Sequence, residues 1–220
     1  MVNLPFADRF EAGRLLAGEF GHRPRPINPI VLALPSGGVP VGLAVAQALQ
    51  APLDVMVVRK LGVPWQPELA MGAITSGAFR ILDDELIQEL GIKPEEIAAV
   101  VSQEKAELER REKLYRAGRP IPELRGRTVV LVDDGLATGS SMLAAVRYIR
   151  TLKPVKLIGA IPVGSVEACH RLKKELDECV CLATPDPFHA VGEWYKDFRQ
   201  VGEAEVQQWL RQLDTHDRAM

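Results

Sequence analysis

The amino-acid sequence predicts an α/β fold, namely a doubly wound and mainly parallel sheet. Residues 30–34 and 129–132 are continuous apolar runs without alternation, which is typical of parallel strands covered on both faces. Each run leads through a glycine-rich turn into a helical pattern. The order along the chain, β-α-β and later β-α-β-α-β, favours one sheet with helices on both faces. A chain of 220 residues, 47% of them hydrophobic, has enough apolar residues for one such domain.

The first elements lie between residues 1 and 58. Apolar residues at helical spacing, interspersed with charged ones, predict an amphipathic first helix that ends at Gly21. The strand at residues 30–34 precedes a tight turn at residues 35–38, a helix over 39–49 and a strand over 53–58. These elements form a β-α-β unit, whose crossover we expect to be right-handed.

The middle of the chain contains two segments of different character. Residues 60–77 include two prolines and three glycines, which predicts a long loop or loose hairpin with little regular structure. We expect this segment to be a flexible lid. Residues 94–116 alternate acidic and basic side chains, which predicts a solvated helix braced by i,i+4 ion pairs rather than a nucleic-acid surface.

The last part of the sheet comes from residues 129–183. After the strand at 129–132 we expect a helix over 138–152, a strand over 155–162, a helix over 166–177 and a strand over 179–183. No repeat or linker divides the chain, so residues 1–220 are expected to form one domain. A small hood lobe would come from residues 1–28 and 185–220, and would meet the core over the sheet edge near Asp133.

Composition argues against several classes of function. The formal net charge is −2 and no basic stripe stands out, so we expect small-molecule ligands and no nucleic-acid partner. The cysteines are Cys169, Cys179 and Cys181, an odd number without a Cys-x-x-Cys pair, which argues against a disulfide framework and a zinc site. The amino terminus has no long apolar run, so we expect neither a signal peptide nor a membrane span. We expect a cytoplasmic location.

The segment Val129 to Ser141, VVLVDDGLATGSS, is the most informative motif. Two acids, Asp133 and Asp134, follow the buried strand, at the sheet edge where α/β proteins bind ligands. The loop after them carries two glycines and three hydroxyls into a helix amino end, where backbone N–H groups bind anions. This combination suggests a sugar phosphate, with the acids accepting hydrogen bonds from sugar hydroxyls or from a Mg²⁺ shell.

The same motif resembles the ribose-phosphate motif of type I phosphoribosyltransferases, whose donor is phosphoribosyl pyrophosphate. The resemblance implies that Asp133 and Asp134 hold the ribose hydroxyls and, through them or through water, Mg²⁺. It further implies a binding site for the 5-phosphate, made of Ala137, Thr138, Gly139, Ser140 and Ser141. Matches along nearly the whole chain, among them PSGGVPVG, VRKLGVP and VGEWY, resemble a bacterial group of predicted phosphoribosyltransferases of unassigned substrate.

A donor with two anionic groups needs a second anion site. The turn Ser36-Gly37-Gly38 lies at the same predicted sheet edge, and in the resembling family this turn binds the pyrophosphate. Arg59 and Lys60 follow the next strand and would neutralise the departing pyrophosphate. Glu68, in the expected lid, is a weaker candidate for orienting the lid or a metal-bound water.

The acceptor is the least defined part of the site. Phe188 or Trp194 in the tail is a candidate platform for stacking a base, with core packing as the alternative, and His189 has no assigned role. In 6-oxopurine phosphoribosyltransferases a third acid stands where this chain has Ala137. Hypoxanthine and guanine are therefore less favoured acceptors.

The resemblance implies a glycosyltransferase of nucleotide metabolism that transfers the 5-phosphoribosyl group from phosphoribosyl pyrophosphate to a nucleobase-like nitrogen, with release of pyrophosphate. An alternative is a non-catalytic regulatory sensor of phosphoribosyl pyrophosphate or a nucleotide. Hydrolysis or exchange on another phosphorylated ribose compound is a third possibility. A homodimer is possible, since dimers are frequent in the resembling family.

Overall fold

The computed structural model describes residues 2–217, which contain eight strands and seven α-helices. The strands are β1 (Pro29–Ala33), β2 (Leu53–Val55), β3 (Val58–Val63), β4 (Gln66–Thr75), β5 (Phe79–Leu82), β6 (Thr128–Val132), β7 (Lys156–Val163) and β8 (Glu178–Ala183). The helices are α1 (Arg9–Gly21), α2 (Gly38–Leu49), α3 (Asp84–Leu90), α4 (Pro94–Arg116), α5 (Ser140–Thr151), α6 (Val166–Lys173) and α7 (Glu203–Asp217).

A parallel sheet of five strands forms the centre of the molecule, in the order β2-β1-β6-β7-β8. The predicted α/β class with a mainly parallel sheet is therefore confirmed. In β1 and β6, Leu32 pairs with Leu131 and Ala33 with Val132, so the two strands end at the same height. The turn after β1 and the acids after β6 therefore lie side by side.

Both faces of this sheet are covered, which explains the unbroken apolar runs. Val31 and Val130 point into a cluster that also contains α1 and α2 side chains, whereas Ile30 and Leu131 point to α5 and α6. All four side chains are at most 1% exposed. Because neighbouring residues of a strand point to opposite faces, a strand buried on both faces needs apolar side chains at every position.

The expectation of little regular structure at residues 60–77 is wrong, because these residues are mostly strand, whereas their role as a flexible lid stays a prediction. β3, β4 and β5 form a three-stranded antiparallel sheet, called the small sheet below. The pairing of β3 with β4 shifts register around Gly62, where a Cβ atom would lie 2.5 Å from the Pro67 carbonyl oxygen. At Gly72 a Cβ would lie 2.3 Å from the Ile81 oxygen. Glycines that permit close contacts between strands therefore resemble loop glycines in the sequence.

The predicted single strand over residues 53–58 is divided in the structure. β2 ends at Val55 and β3 begins at Val58, and the two strands belong to different sheets. Arg59 and Lys60 therefore lie within β3 rather than at the entrance of a loop.

The charged helix at residues 94–116 is present with the predicted bounds, as α4. Three i,i+4 ion pairs brace it: Lys105–Glu109 at 3.7 Å, Glu107–Arg111 at 2.7 Å and Glu112–Arg116 at 2.9 Å. One face packs on the small sheet through the buried Leu108. The two more exposed pairs, Lys105–Glu109 and Glu107–Arg111, stabilise the helix by about 0.3–0.5 kcal/mol each.

The two ends of the described chain meet at the carboxyl edge of the parallel sheet. The Phe6 N–H donates to the Trp194 carbonyl at 2.9 Å, and the Lys196 N–H donates to the Phe6 carbonyl at 2.8 Å. Phe6 and Tyr195 are buried together with Val163. The assignment of these ends to a separate hood lobe stays a prediction, since α1 also packs along α2 of the core. Among residues 2–217, no helix combines the length and apolarity needed to cross a membrane.

Candidate functional site

Two loops converge at the carboxyl ends of β1 and β6. The first, residues 34–37, connects β1 to α2, and the second, residues 133–139, connects β6 to α5. The Leu34 N–H donates to the Val132 carbonyl at 2.9 Å, which joins the two loops at their start. In α/β sheets, ligands bind at such an edge, between adjacent strands whose connections run in opposite directions.

The glycine turn packs directly against the acid pair. A Cβ atom at Gly37 would lie 2.0 Å from Asp134 Oδ2, and one at Gly38 would lie 2.9 Å from the Val132 carbonyl oxygen and 3.0 Å from Asp133 Cα. No side chain fits at either position without moving the acids. Ser36 precedes the glycines in the same turn. The structure thus brings the predicted residues 36–38 next to Asp133 and Asp134.

Asp133 and Asp134 have different partners. Asp134 Oδ2 accepts a hydrogen bond from Arg9 Nε at 2.7 Å, and the Asp134 carbonyl accepts one from the Tyr195 hydroxyl at 2.5 Å. Asp133 Oδ1 accepts from the Asp134 N–H at 2.9 Å. Burial raises the pKa of Asp133 well above its usual range, and the charge of Asp134 adds to this increase. Burial also raises the pKa of Asp134, but Arg9 counteracts the increase.

The segment at residues 137–141, which ends this loop and begins α5, is held by its carbonyl groups. The Ser165 hydroxyl donates to the Ala137 carbonyl at 2.8 Å, and the Arg171 guanidinium donates to the Thr138 carbonyl. Gly139 has a φ of 72°, a left-handed conformation in which glycine carries little strain. The Ala137 and Thr138 carbonyls thus bind side chains at and within α6. No acceptor among residues 2–217 takes the backbone N–H groups of this segment at Ala137, Thr138, Gly139 and Ser141. Free N–H groups at a helix amino end can bind an anion.

Arg59 and Lys60 lie on opposite faces of the small sheet. Arg59 forms an ion pair with Glu104 of α4 at 2.7 Å. Lys60 Nζ lies 3.2 Å from Glu68 Oε2, and Lys60 is the cross-strand partner of Ala73. Ala73 and Ser140 line the same cavity, so Lys60 shares the sheet face that is turned toward the amino end of α5. Arg59 is on the α4 side.

A cavity of about 500 Å³ separates the small sheet from α5. Its walls include Ala70, Ala73, Ile81, Ser140, Leu143 and Arg147. Because Ser140 belongs to the predicted 5-phosphate loop, the cavity connects that loop with the face of the small sheet that carries Lys60.

The two candidate acceptor residues contact each other. The rings of Phe188 and Trp194 stack with centroids 6.0 Å apart, and both pack against the cluster of Phe6 and Tyr195. Val191, between them in sequence, reaches the acid loop, since a Cβ at Gly135 would lie 2.4 Å from its Cγ1. His189 is exposed. The tail thus comes to the acid pair, although its two aromatic rings form a packed pair with each other.

Sequence reasoning missed Arg9 and Tyr195. Arg9 is 125 residues from Asp134 along the chain, and Tyr195 is 61 residues from it. Arg9 is part of no local motif, and Tyr195 ends the VGEWY segment without any sequence signal of its contact with Asp134, so only the tertiary structure identifies their roles. The one sequence signal is Arg9 itself, a cation at the amino end of a helix, where the macrodipole disfavours positive charge.

The acid pair fits Mg²⁺ only as part of a larger set of ligands. Residues 2–217 contain no group of three His, Cys, Asp or Glu side chains that could hold a metal ion. Mg²⁺ prefers six oxygen ligands and commonly binds through one or two carboxylates together with substrate phosphates and water. The carboxylates of Asp133 and Asp134 are therefore suited to a Mg²⁺ ion that arrives with a phosphorylated ligand.

Comparisons with known proteins match most of the chain to one family. The family model described as "Phosphoribosyl transferase domain" matches residues 10–193. The Mycobacterium tuberculosis protein named "Putative phosphoribosyl transferase Rv0571c" is 44% identical over 205 residues, which cover 93% of this chain and 46% of the relative. The chain therefore spans about half the length of this curated relative.

Solved structures show the same fold. The TT1426 protein of Thermus thermophilus has 38% identity and a TM-score of 0.82, covering 96% of this chain and 99% of its own. A Neisseria gonorrhoeae protein solved with bound ppGpp has 10% identity and a TM-score of 0.51, with the same coverage of both chains, and this likeness concerns the fold alone. The match to the family model over most of the chain shows that this protein belongs to the phosphoribosyl transferase domain family.

Proposed function

We propose that this protein transfers the 5-phosphoribosyl group from phosphoribosyl pyrophosphate to a nitrogen of a nucleobase-like acceptor, with release of pyrophosphate. The observation that carries this proposal is the convergence of three parts at one sheet edge. These parts are the free N–H groups of residues 137–141, the acids Asp133 and Asp134, and the turn at residues 36–38. Together, these three parts of the site suit a ligand that contains a sugar, a phosphate and a second anionic group.

Each part has a role in the proposed reaction. The loop at residues 137–141 binds the 5-phosphate through its N–H groups and the Thr138, Ser140 and Ser141 hydroxyls. The carboxylates accept hydrogen bonds from the ribose hydroxyls, and Mg²⁺, bound with the donor, neutralises part of the pyrophosphate charge. The backbone at Gly37 and Gly38 lies against the pyrophosphate, which the missing side chains allow to approach.

In this reaction, most of the rate acceleration comes from positioning of the reactants and from electrostatic stabilisation of the transition state. The acceptor nitrogen attacks the anomeric carbon as the bond to pyrophosphate breaks, and the electron pair of that bond leaves with the pyrophosphate. Lys60, on the sheet face turned toward α5, is placed to approach the negative charge that grows on the leaving group. Arg59, held by Glu104 on the other face, is the weaker candidate for this role.

The proposal is tested by Mg²⁺-dependent release of pyrophosphate from phosphoribosyl pyrophosphate, measured against a panel of adenine, hypoxanthine, guanine, uracil and orotate. Thermal unfolding with the donor, and with donor plus each base, identifies ligands of the folded state. The variant D133N/D134N should lose the donor-induced shift while remaining folded. The control E95Q/E109Q removes two exposed acids of α4 and should keep the shift. Retained donor binding by D133N/D134N contradicts the site assignment.

A regulatory sensor is the second candidate function. It is favoured by the pairing of Arg59 with Glu104, which engages one of the two cations expected at the leaving group. A sensor would bind phosphoribosyl pyrophosphate with Mg²⁺ and release no pyrophosphate with any base of the panel. Turnover with one base would reject this alternative.

A further inference from the structure

Arg9 links the acid pair to both ends of the chain. Its Nε donates to Asp134 Oδ2 at 2.7 Å, and its NH1 donates to the Arg199 carbonyl at 2.9 Å. The guanidinium carbon lies 3.9 Å from the centre of the Phe198 ring, close enough for a cation–π contact. One side chain from α1 thus joins β6 to the tail.

The guanidinium of Arg9 is held in place from several directions. Arg9 is 9% exposed, and a Cβ atom at Gly37 would lie 3.2 Å from its Nε. The helix that carries it is fixed by its N-cap, since the Asp8 carboxylate accepts from the Glu11 N–H at 2.8 Å. A buried cation with a charged partner on one side and an aromatic ring on another has little freedom to leave Asp134.

The ion pair makes the two neighbouring acids unequal. Within residues 2–217, Arg9 is the cation paired with Asp134, and Asp133 has no cationic partner within ion-pair distance. Asp133 Oδ1 accepts from a backbone N–H, and the Asp134 carboxyl lies within hydrogen-bonding reach of the Asp133 carboxyl. Asp133 is therefore the acid with capacity left to accept hydrogen bonds from a ligand.

We propose that Arg9 is a positioning residue for donor binding: it keeps Asp134 paired and turned toward the glycine turn, so that Asp133 accepts the ribose hydroxyls. Without Arg9, two adjacent carboxylates would face a donor that carries several negative charges of its own. With Arg9, one of the two carboxylates is paired with a cation. This inference rests on the proposed function.

The test is a cycle of variants with phosphoribosyl pyrophosphate and Mg²⁺, measured by calorimetric binding and by pyrophosphate release with the best base. R9Q should weaken donor binding roughly 10- to 100-fold, the range for a lost hydrogen bond to a charged group. The donor KM should rise more than kcat falls. R9K keeps the charge but loses the planar guanidinium that also reaches the Arg199 carbonyl and the Phe198 ring, so its donor affinity should lie between those of the wild type and R9Q. R14Q, on the exposed side of the same helix, is the charge-matched control and should bind normally.

Rescue separates this role from a purely structural one. R9Q/D134N removes both charges and retains an amide pair, so its donor affinity should recover to within about threefold of D134N alone. D133N should lose more affinity than D134N. Each variant is first checked for folding by circular dichroism. If R9Q alone fails to fold, R9Q/D134N still provides the test, because it buries no unpaired charge.

Two failures can be told apart. A wild-type protein that does not bind phosphoribosyl pyrophosphate overturns the proposed function and this inference together. A wild-type protein that binds it, with R9Q binding equally well or with no recovery in R9Q/D134N, overturns the role of Arg9 and leaves the proposed function standing.

Discussion

Gly37 lies so close to Asp134 that a Cβ atom at position 37 would fall 2.0 Å from the Oδ2 of that acid. The turn that follows β1 and the acid that follows β6 therefore fit only because residue 37 has no side chain. Arg9, whose Nε would lie 3.2 Å from the same Cβ, prevents the carboxylate from moving aside.

G37A should consequently weaken donor binding more than it destabilises the fold, because the new methyl group displaces the Asp134 carboxylate from Arg9. We expect at least a tenfold loss in affinity for phosphoribosyl pyrophosphate with Mg²⁺, measured by calorimetry. G18A is the control, since a Cβ at Gly18 meets no atom within 4 Å. As a glycine-to-alanine change inside α1, it should raise the free energy of unfolding by about 0.5–1 kcal/mol. Equal donor affinity in G37A and G18A would contradict the close fit.

Gly139 provides a test of the 5-phosphate loop. G139A and G91A both place alanine in a left-handed conformation, with φ of 72° and 63°, so each should cost about 1–2 kcal/mol of stability. Only Gly139 lies in the loop at residues 137–141, where the N–H groups are free. Only G139A should therefore lose thermal stabilisation by inorganic phosphate and by phosphoribosyl pyrophosphate, in scanning fluorimetry. If G91A loses the same stabilisation, the effect is not specific to this loop.

The local part of the site could be predicted from the sequence. The apolar run before Asp133 defines a doubly covered strand, and Gly135 and Gly139 define the turn into α5. In a parallel sheet these features fix the edge at which ligands bind, independently of the rest of the chain. The turn at Gly37 and Gly38 follows from the same pattern after β1.

The long-range part of the site could not be predicted in this way. The contact of Arg9 with Asp134 joins the first helix to the third strand of the sheet in chain order, and no periodicity encodes such a pairing. The faces of Arg59 and Lys60 depend on a strand register that includes a shift near Gly62. A one-residue change in register reverses the face of every side chain, so the roles of these two cations could not be separated from sequence.

The opposite faces of Arg59 and Lys60 predict different effects for two similar variants. K60M should lower kcat/KM for pyrophosphate release about 10- to 100-fold, because Lys60 lies on the face turned toward α5. R59M breaks the ion pair with Glu104 and should mainly change stability. Steady-state kinetics together with urea unfolding distinguishes the two effects. A larger kinetic loss in R59M than in K60M would place the catalytic cation on the α4 side.

Arg116 should contribute more to stability than the exposed arginines of α4. It is 2% exposed and donates to Asp54 at 3.2 Å, to Glu112 at 2.9 Å and to the Val55 carbonyl at 2.5 Å. R116A removes the guanidinium that donates to both Asp54 and the Val55 carbonyl, which should cost about 3–5 kcal/mol even though the charge of Arg119 also acts on Asp54. R110A breaks exposed pairs with Glu107 of the same helix and with Glu203 of α7, and should cost much less than R116A. Urea unfolding of both variants checks the difference, and similar losses would contradict it.

Asp133 should lower the free energy of unfolding of the protein, although we propose that it binds the donor. Its pKa is raised by burial above the ordinary value of 3.8, so between these two pKa values the unfolded chain releases a proton that the folded protein retains. Stability therefore falls as the pH rises through this window, and the penalty is complete above the folded pKa. D133N removes the penalty and keeps an oxygen that can accept the Asp134 N–H.

At pH 8, D133N should therefore raise the free energy of unfolding by about 1 kcal/mol, a common gain when a functional group is replaced. The gain should shrink toward pH 4, where the wild-type carboxyl is protonated in the folded state. The same variant should lose donor binding, so stability and binding change in opposite directions. Urea unfolding at the two pH values, with E109Q as an exposed control on α4, provides the measurement. A gain of equal size at pH 4 and pH 8 would show that ionisation of Asp133 is not its cause.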